Sequence, residues 1–252
     1  MYPPGTVHRY GNPDAPRVVI LLHGYTGGPD EFRDLAERIA LRLDAYVHVP
    51  LLPGHGTRPK DLLPISHDDF LAFAHTCINT LTDNRPYAIF GHSFGAYIAL
   101  EAALEKSPVA ISFSVLPFPL RMPFSSPWLA SFFARIPLWR KVFPPSSWKP
   151  REGHVYYRYM PGKAFLLAQK ANRTLETQLP HLNCPVQVIH TQGELAIRKS
   201  AEAIFALVPS HPLHDTVFID SPLHSIFYTK ERDVIMDHVV SFFARAFDLE
   251  GK

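Results

Sequence analysis

The chain has 252 residues, of which 46% are apolar and 19% are charged, and its formal net charge is +2. This composition excludes a disordered chain, and the small net charge argues against attraction of the whole chain to nucleic acid. The length suits one α/β domain with an insertion and allows a sizeable buried core.

The N-terminus and the cysteines indicate a compartment. Residues 1–5, Met-Tyr-Pro-Pro-Gly, have neither the basic nor the apolar region of a signal peptide. No stretch approaches the run of about 18 apolar residues that a membrane span requires. Cys77 falls in a helical pattern and Cys184 beside a predicted strand, so both are expected to be buried thiols rather than a disulfide pair. We therefore expect a soluble protein of a reducing cytoplasm.

Short β-rich runs alternate with longer helical patterns along the chain. Strands are predicted at 17–22, 46–49, 87–90, 110–115, 186–190 and 216–219. Helices are predicted at 30–43, 68–81, 94–106, 200–207 and 230–247. This alternation predicts an α/β fold, in which a mostly parallel sheet carries helices on both faces. The nearly continuous apolar run of the first strand fits burial on both sides.

The first predicted strand runs into a glycine-rich loop, His-Gly-Tyr-Thr-Gly-Gly at 23–28. A loop in this place can supply a backbone N–H to the oxyanion of a tetrahedral intermediate, and Tyr25 N–H is the candidate donor. Glycine-rich loops after a first strand also bind dinucleotide phosphates, but this spacing does not match Gly-x-Gly-x-x-Gly. Pro-Gly-His-Gly at 53–56 follows the next strand and is interpreted as a structural turn.

The most informative motif is Gly-His-Ser-Phe-Gly at 91–95, between an apolar strand and a helix-forming run. A tight strand-to-helix turn would hold Ser93 in a strained conformation with its hydroxyl exposed, as a nucleophile requires. Gly91 and Gly95 lack a β-carbon, so the strand and the helix can approach closely enough to close such a turn. The alternative is an inert serine in a glycine-rich turn.

Two neighbours of Ser93 receive different interpretations. The N–H of Phe94 is the second candidate donor for the oxyanion, because an acyl-transfer intermediate needs two preorganised N–H groups. His92 is expected to pack beneath the turn rather than to take part in chemistry.

The alternation of strands and helices breaks after the fourth predicted strand. We predict that 117–178, called the cap segment below, is an inserted helical cap or lid on a core formed by 1–116 and 179–252. The cap segment carries ten Lys or Arg against two Glu, together with all three tryptophans. Its candidate substrate-binding residues are Phe118, Trp128, Trp139 and Trp148. Aromatic residues among cations suit an anionic lipid-like ligand or a membrane surface, whereas a solvated basic face over an aromatic mini-core remains the alternative.

Two late segments carry side chains that a serine nucleophile could use, and the role of the acid rests on the resemblance described below. His224 lies in the loop after the last predicted strand, where the loops of a parallel sheet gather. Glu194 follows the preceding strand, in a turn that reads Gln-Gly-Glu-Leu. Asp220, four residues before His224, is the second candidate for the acid.

His211 and His214 have a spacing that two metal ligands can share. No cysteine lies near them in the sequence, and the inferred chemistry needs no metal. They are interpreted as loop histidines, and neither a metal nor a cofactor is expected.

The order of these motifs resembles the α/β-hydrolase superfamily, and within it the small carboxylesterases and monoacylglycerol-lipase-like enzymes. The shared pieces are Leu-Leu-His-Gly-x-x-Gly, Pro-Gly-His-Gly, Gly-x-Ser-x-Gly, a cap, an acid turn and a late histidine, in order from Leu21 to His224. The resemblance implies the α/β-hydrolase fold with an inserted cap, Ser93 as nucleophile and His224 as general base. It also implies cleavage of short- to medium-chain acyl esters or monoacylglycerol-like lipids.

The acid turn departs from the pattern of the family, which places an aspartate where this chain has Glu194. Glutamate is longer by one methylene, and the loop is shorter by one residue, so the carboxylate can still reach His224 if the turn retracts. Glutamate is an accepted third member of the triad in this fold. Two alternatives to an esterase remain, an amidase or peptidase of the same fold and a non-catalytic binding protein with a decayed acid.

Overall fold

The fold is built on a seven-stranded sheet. The computed structural model describes residues 5–120, 127–139, 157, 159–191, 199–221 and 224–249. In chain order the strands are β1 His8–Tyr10, β2 Arg17–Leu22, β3 Ala45–Val49, β4 Tyr87–His92, β5 Ala110–Ser114, β6 Pro137–Trp139, β7 Tyr159–Pro161, β8 Val186–Thr191 and β9 Asp215–Ile219. The helices are α1 Arg33–Leu43, α2 His67–Thr82, α3 Phe94–Glu105, α4 Pro127–Arg135, α5 Lys163–Gln178, α6 Ser200–Phe205 and α7 Arg232–Ala246.

The strand order of the large sheet is β1-β3-β2-β4-β5-β8-β9. Only the pairing of β1 with β3 is antiparallel, and the other neighbouring strands of this sheet are parallel. The predicted α/β class with a mostly parallel sheet is therefore confirmed. β6 and β7 form a separate antiparallel ribbon within the cap segment.

Both faces of the sheet are covered, as the apolar strands predict. Val18, Ile20 and Leu22 of β2 belong to one core cluster, whereas Val19 and Leu21 belong to the other. The first cluster is completed by α2, α3, α5 and α6, and the second by α1 and α7. This alternation is the period of two that a strand imposes on its side chains, so each face buries its own apolar set.

Helix α2 shows how the local sequence determines where a helix begins and which of its faces is buried. Ser66 caps the helix: its Oγ accepts from Asp69 N–H at 3.1 Å, and the Asp69 carboxylate accepts from Ser66 N–H at 2.8 Å. Such a reciprocal capping box satisfies two N–H groups that the first turn would leave without partners. Phe70, Ala74 and Ile78 then recur at a spacing of four residues and form the buried face.

Helix α5 lies in the cap segment by sequence but packs into the core. Ala171 and Leu175 are fully buried in the cluster that α3 also joins. The buried Asn172 accepts from Leu120 N–H at 2.7 Å and donates to Tyr97 Oη at 2.9 Å. One face of α5 is thus held against α3 by apolar burial and by a satisfied polar side chain.

The two cysteines are free and buried, as predicted. Burial raises the pKa of Cys77 to about 11 and that of Cys184 to about 12, so neither is a reactive thiolate at neutral pH. Over the stretches that the structure describes, none of the helices has both the length and the apolar character needed to cross a bilayer.

Candidate active site

Ser93 sits at the turn from β4 to α3 in a conformation that only a few per cent of non-glycine residues adopt. Its φ is 53° and its ψ is −115°. Its backbone N–H donates to Ser114 O at the end of β5, at 2.9 Å. Strain of this kind costs about 1 to 3 kcal/mol and persists where the surroundings fix the backbone. The predicted strand-to-helix turn is therefore present, with Ser93 at its apex.

The glycines on either side of Ser93 make the close approach possible. A β-carbon on Gly91 would lie 2.6 Å from Ala96 Cα, and one on Gly95 would lie 2.1 Å from Leu22 O. Both distances are far below any real contact of a β-carbon. Gly91 thus lets β4 approach α3, and Gly95 lets α3 approach the end of β2, at separations that only glycine allows.

His224 reaches Ser93 from the loop after β9. Its Nε2 lies 2.9 Å from Ser93 Oγ, although the two residues are 131 positions apart in the sequence. The distance is within hydrogen-bond reach, the geometry that a general base needs to take the serine proton. Sequence reasoning paired these two residues, and the structure brings them together.

His92 is buried beneath the turn, where it was predicted to pack. Its Nδ1 lies 2.8 Å from Ser114 Oγ, and its ring is tilted against that of His224 at a centroid distance of 5.5 Å. Burial, and then the nearby His224 and His23, hold the pKa of His92 well below its usual value. His92 is therefore a neutral support for the turn.

The glycine-rich loop 23–28 lies against the same turn. A β-carbon on Gly24 would be 3.5 Å from Ser93 Cβ, and the Tyr25 ring packs edge-on against Phe94 at 5.1 Å. The Phe94 N–H is the first in α3, so it has no acceptor inside the helix. Among the described residues, neither Tyr25 N–H nor Phe94 N–H donates to a protein acceptor. The two predicted donors thus belong to segments that meet beside Ser93.

His23 sets the direction of the Tyr25 N–H. Its Nε2 accepts from Leu52 N–H at 3.0 Å, so its Nδ1–H donates to Gly24 O at 2.9 Å. Burial lowers the pKa of His23 well below its usual value, which agrees with this neutral tautomer. In a trans peptide the C=O and the following N–H are antiparallel. Because His23 fixes the Gly24 carbonyl, it also orients the Tyr25 N–H.

Glu31 is a buried support of the loop that sequence reasoning missed. Its Oε1 accepts from Gly24 N–H at 3.1 Å. Burial above all, and also the nearby Asp30, raises its pKa to about 8, although the bond from Gly24 acts in the opposite direction. The helix predicted from Asp30 begins instead at Arg33, after a 3₁₀ turn, Pro29–Phe32, that contains both acids. A Glu beside the first turn of a helix reads as an ordinary helix start, so the sequence carried no signal for this role.

Of the two candidate acids, the structure describes Asp220 but not Glu194. Asp220 is exposed after β9, and within the part of the chain that the structure describes its carboxylate has no hydrogen bond or ion pair. Glu194 lies outside the described residues. Its assignment as the triad acid therefore stays a prediction.

The predicted substrate-binding residues also fall in different places. Phe118 is buried in the core cluster, and its N–H donates to Ser200 Oγ at 2.9 Å, so packing alone accounts for its position. Trp128 lies in α4 and Trp139 in β6, but their side chains, like the whole of Trp148, lie outside what the structure describes. Substrate contact by these four residues stays a prediction.

The loop histidines have structural partners, in line with their interpretation. His214 accepts at Nδ1 from Val186 N–H at 3.0 Å and donates from Nε2 to Pro209 O at 2.8 Å. His211 accepts from Leu213 N–H at 3.1 Å. Both nitrogens of His214 are thus engaged in holding the loop before β9 against the start of β8.

Comparisons with known proteins find relatives over most of the chain. A family described as the alpha/beta hydrolase family matches residues 19–242. The thermostable monoacylglycerol lipase of Bacillus sp. (strain H-257) is 23% identical over 238 residues, 92% of each chain. The magnesium-chelatase 30 kDa subunit of Rhodobacter capsulatus is 27% identical over 219 residues, 74% of each chain. A solved structure of the metagenome-derived lipolytic enzymes LipS and LipT has a TM-score of 0.78 at 21% identity, covers 97% of this chain and 100% of its own, and shows the shared fold.

Proposed function

The chain belongs to the alpha/beta hydrolase family, and from this premise we propose that it is a serine hydrolase that cleaves carboxylic esters through an acyl-enzyme. The observation that carries the proposal is the 2.9 Å contact between His224 Nε2 and Ser93 Oγ at a strained strand-to-helix turn. The similarity to a monoacylglycerol lipase over 92% of each chain supports ester substrates.

In the proposed acylation step, Ser93 Oγ attacks the ester carbonyl while His224 Nε2 takes the hydroxyl proton. The carbonyl oxygen becomes an oxyanion, which the N–H groups of Tyr25 and Phe94 stabilise. Collapse of the intermediate breaks the bond to the alcohol oxygen, which leaves with the proton from His224. Glu194 is proposed to hold the imidazolium that forms between these two transfers.

In the deacylation step, water takes the place of the alcohol. His224 removes a proton from the water as its oxygen attacks the acyl carbonyl, and the same N–H groups stabilise the second oxyanion. The bond to Ser93 Oγ then breaks, and Oγ recovers a proton from His224. The products are a carboxylic acid and an alcohol, and the enzyme returns to its starting state.

The proposed substrates are short- to medium-chain acyl esters or monoacylglycerol-like lipids. The support for an apolar acyl group is the number of large aromatic side chains in the cap segment, which hold more apolar surface than an ordinary solvent loop. Contact of this basic segment with an anionic ligand or a membrane surface, and a cytoplasmic location, stay predictions.

A fluorophosphonate probe tests the proposal, because it labels an activated serine whatever the natural substrate is. The wild type and Ser210→Ala, which removes an exposed loop serine, should be labelled and should hydrolyse nitrophenyl butyrate. Ser93→Ala should do neither, with an unchanged thermal midpoint. Equal labelling of Ser93→Ala and the wild type would end the serine-hydrolase proposal.

The same proteins separate the two rivals. An amidase or peptidase would cleave a butyryl anilide as well as the ester, whereas an esterase would cleave the ester and leave the anilide intact. A non-catalytic binding protein would show neither labelling nor turnover in the wild type.

A further inference from the structure

Tyr157 of the cap segment contacts both the glycine-rich loop beside Ser93 and the loop that contains Pro-Gly-His-Gly. Its backbone N–H donates to Thr26 O of the glycine-rich loop at 3.0 Å. Its hydroxyl donates to Gly54 O at 3.0 Å and accepts from Thr57 N–H at 3.3 Å. The side chain is only 5% exposed. One buried residue of the cap segment thus contacts both loops through hydrogen bonds with defined partners.

The Tyr157 ring also stacks on His55. The two ring centroids are 5.9 Å apart, and the planes differ by 14°. His55 Nε2 lies 2.8 Å from Tyr25 O and its Nδ1 lies 3.0 Å from Pro53 O. A neutral imidazole has one N–H, and the shorter, buried contact assigns it to Nε2, which donates to Tyr25 O. His55 belongs to the Pro-Gly-His-Gly turn. This turn therefore links Tyr157 to Tyr25, whose N–H is a predicted oxyanion donor.

Three successive peptide groups of the loop are fixed in this way. His23 donates to Gly24 O at 2.9 Å, His55 to Tyr25 O at 2.8 Å, and Tyr157 to Thr26 O at 3.0 Å. Each bond fixes one peptide plane, because the plane turns as a unit. The peptide groups on both sides of Tyr25 are thus held by side chains, and the next one along is held by the cap segment.

We propose that Tyr157 is a positioning residue that couples the cap segment to the oxyanion donors, so that the cap contributes to turnover as well as to substrate choice. This role rests on the ester hydrolysis proposed above. Oxyanion donors act mainly in the transition state, so loosening them lowers kcat and leaves KM nearly unchanged. Loss of a whole donor costs about 10²- to 10³-fold in kcat, and loss of its support should cost less, about tenfold.

The experiment compares two Tyr157 variants with a control in the same segment. Tyr157→Phe removes the hydroxyl bonds but keeps the ring on His55, and Tyr157→Leu removes both. The control is Lys163→Met, because Lys163 Nζ donates to Leu63 O and ties the cap segment to the core, and among the described residues its side chain has no hydrogen bond or ion pair with loop 23–28. Nitrophenyl acetate is the substrate, since its small acyl group minimises contact with the cap.

The expected result is a kcat about tenfold lower for Tyr157→Leu and a smaller loss for Tyr157→Phe, each with KM within about twofold of the wild type. Lys163→Met should keep the wild-type kcat. If Tyr157 acts through His55, adding His55→Ala to Tyr157→Leu should cost less than the product of the two single losses. A change in KM alone, or equal kcat in Tyr157→Leu and Lys163→Met, would overturn the proposal.

Hydrogen exchange of the backbone gives a readout that does not depend on activity. Peptides that cover 23–28 should exchange faster in Tyr157→Leu and unchanged in Lys163→Met, at equal thermal midpoints. Unchanged exchange in Tyr157→Leu would overturn the coupling even if the enzyme is active. If the wild type hydrolyses no ester, the proposed function fails, while exchange still decides whether Tyr157 holds the loop. If Tyr157→Leu does not fold, Tyr157→Phe carries both measurements.

Discussion

Two backbone hydrogen bonds, one from the N–H and one to the carbonyl of Ser93, hold this residue at a φ of 53°. Its N–H donates to Ser114 O at 2.9 Å, and its carbonyl accepts from Ala96 N–H at 3.0 Å. These hydrogen bonds can form because Gly91 lets β4 approach α3 and Gly95 lets α3 approach the end of β2. The sequence could predict this feature because its cause is local: five consecutive residues contain Ser93 and both glycines.

Gly95→Ala should therefore lower the free energy of unfolding by about 1 to 3 kcal/mol or more, because the new β-carbon would lie 2.1 Å from Leu22 O. Gly24→Ala is the matched control, since its β-carbon would make ordinary contacts at 3.5 Å. Urea denaturation of both variants checks the difference. Similar destabilisation by the two substitutions would contradict this account of the turn.

The acid should be Glu194 rather than Asp220. Glu194→Gln is expected to lower kcat by up to about four orders of magnitude, because the imidazole of His224 would lose the carboxylate that fixes its tautomer. Asp220→Asn should have little effect, since Asp220 is exposed and makes no hydrogen bond to His224 among the described residues. Steady-state hydrolysis of nitrophenyl butyrate by both variants is the measurement.

The ranking of the two variants decides the assignment. A larger loss in Asp220→Asn would move the triad to Asp220. Two mild effects would mean that no carboxylate completes the triad. Glu194→Asp serves as the conservative control, because it restores the residue type that the family places there.

The side chains that support the glycine-rich loop 23–28 could not be predicted. Glu31, His55 and Tyr157 reach the loop across 7, 30 and 131 positions, and only the fold brings them together. Each belongs to a residue type that is common in loops and helix starts. No local pattern separates Glu31 or Tyr157 from ordinary surface residues, and Pro-Gly-His-Gly indicates a turn at His55 but not its contact with Tyr25.

At the level of elements, the predicted strands of the sheet were found to within two residues at either end. All of them except β9 are buried on both sides, so their apolar runs are long and unambiguous. One end shows a local reason for its position: the strand predicted to reach Val115 ends at Ser114, because Val115 has φ 57°, which no strand residue adopts. β1, β6 and β7 have three residues each, too few for an alternating pattern to be seen.

The cap segment should select an apolar acyl chain. Each methylene that reaches its aromatic surface contributes up to about 0.8 kcal/mol, so kcat/KM should rise with acyl length until the pocket is full. Nitrophenyl esters from acetate to laurate test this trend in the wild type. Alanine variants of Trp128, Trp139 and Trp148 should flatten the rise if their side chains contact substrate.

One outcome would contradict selection of the acyl chain by the cap segment. A steady decline from acetate onward, unchanged in all three variants, would assign these aromatic residues to a core of the cap itself. Leu41→Ala is a suitable control, since this leucine is 85% exposed on α1. Helix α1 covers the face of the sheet opposite to α3.

For the whole molecule, Glu31 makes stability depend on pH. The pKa of Glu31 is raised from 4.5 to about 8 by burial, so between these values the folded protein keeps a proton that the unfolded chain has released. The free energy of unfolding must then fall as pH rises from about 4.5 to 8. The contribution of Glu31 is fully present below pH 4.5, is lost above pH 8, and amounts to a few kcal/mol at most.

Glu31→Gln isolates this contribution, because glutamine does not titrate and can still accept from Gly24 N–H. Urea denaturation at pH 5, 6, 7 and 8 should show the wild type losing stability relative to Glu31→Gln. His23 and His92, whose pKa values burial lowers, destabilise both proteins equally in acid and cancel in the difference. Glu37→Gln, at an exposed position on α1, is the charge control. A difference that stays constant with pH would refute the prediction.

The packing of α5 sets a limit on how caps can be exchanged between relatives. A graft that replaced everything up to Gln178 would strip Ala171 and Leu175 from the face of α3 and leave Asn172's partners without a replacement. A chimera joined near 120 and 162 would keep that face. Such a donor would still have to present an aromatic ring to His55, so this stacking position is one contact of the described residues that a foreign cap must reproduce.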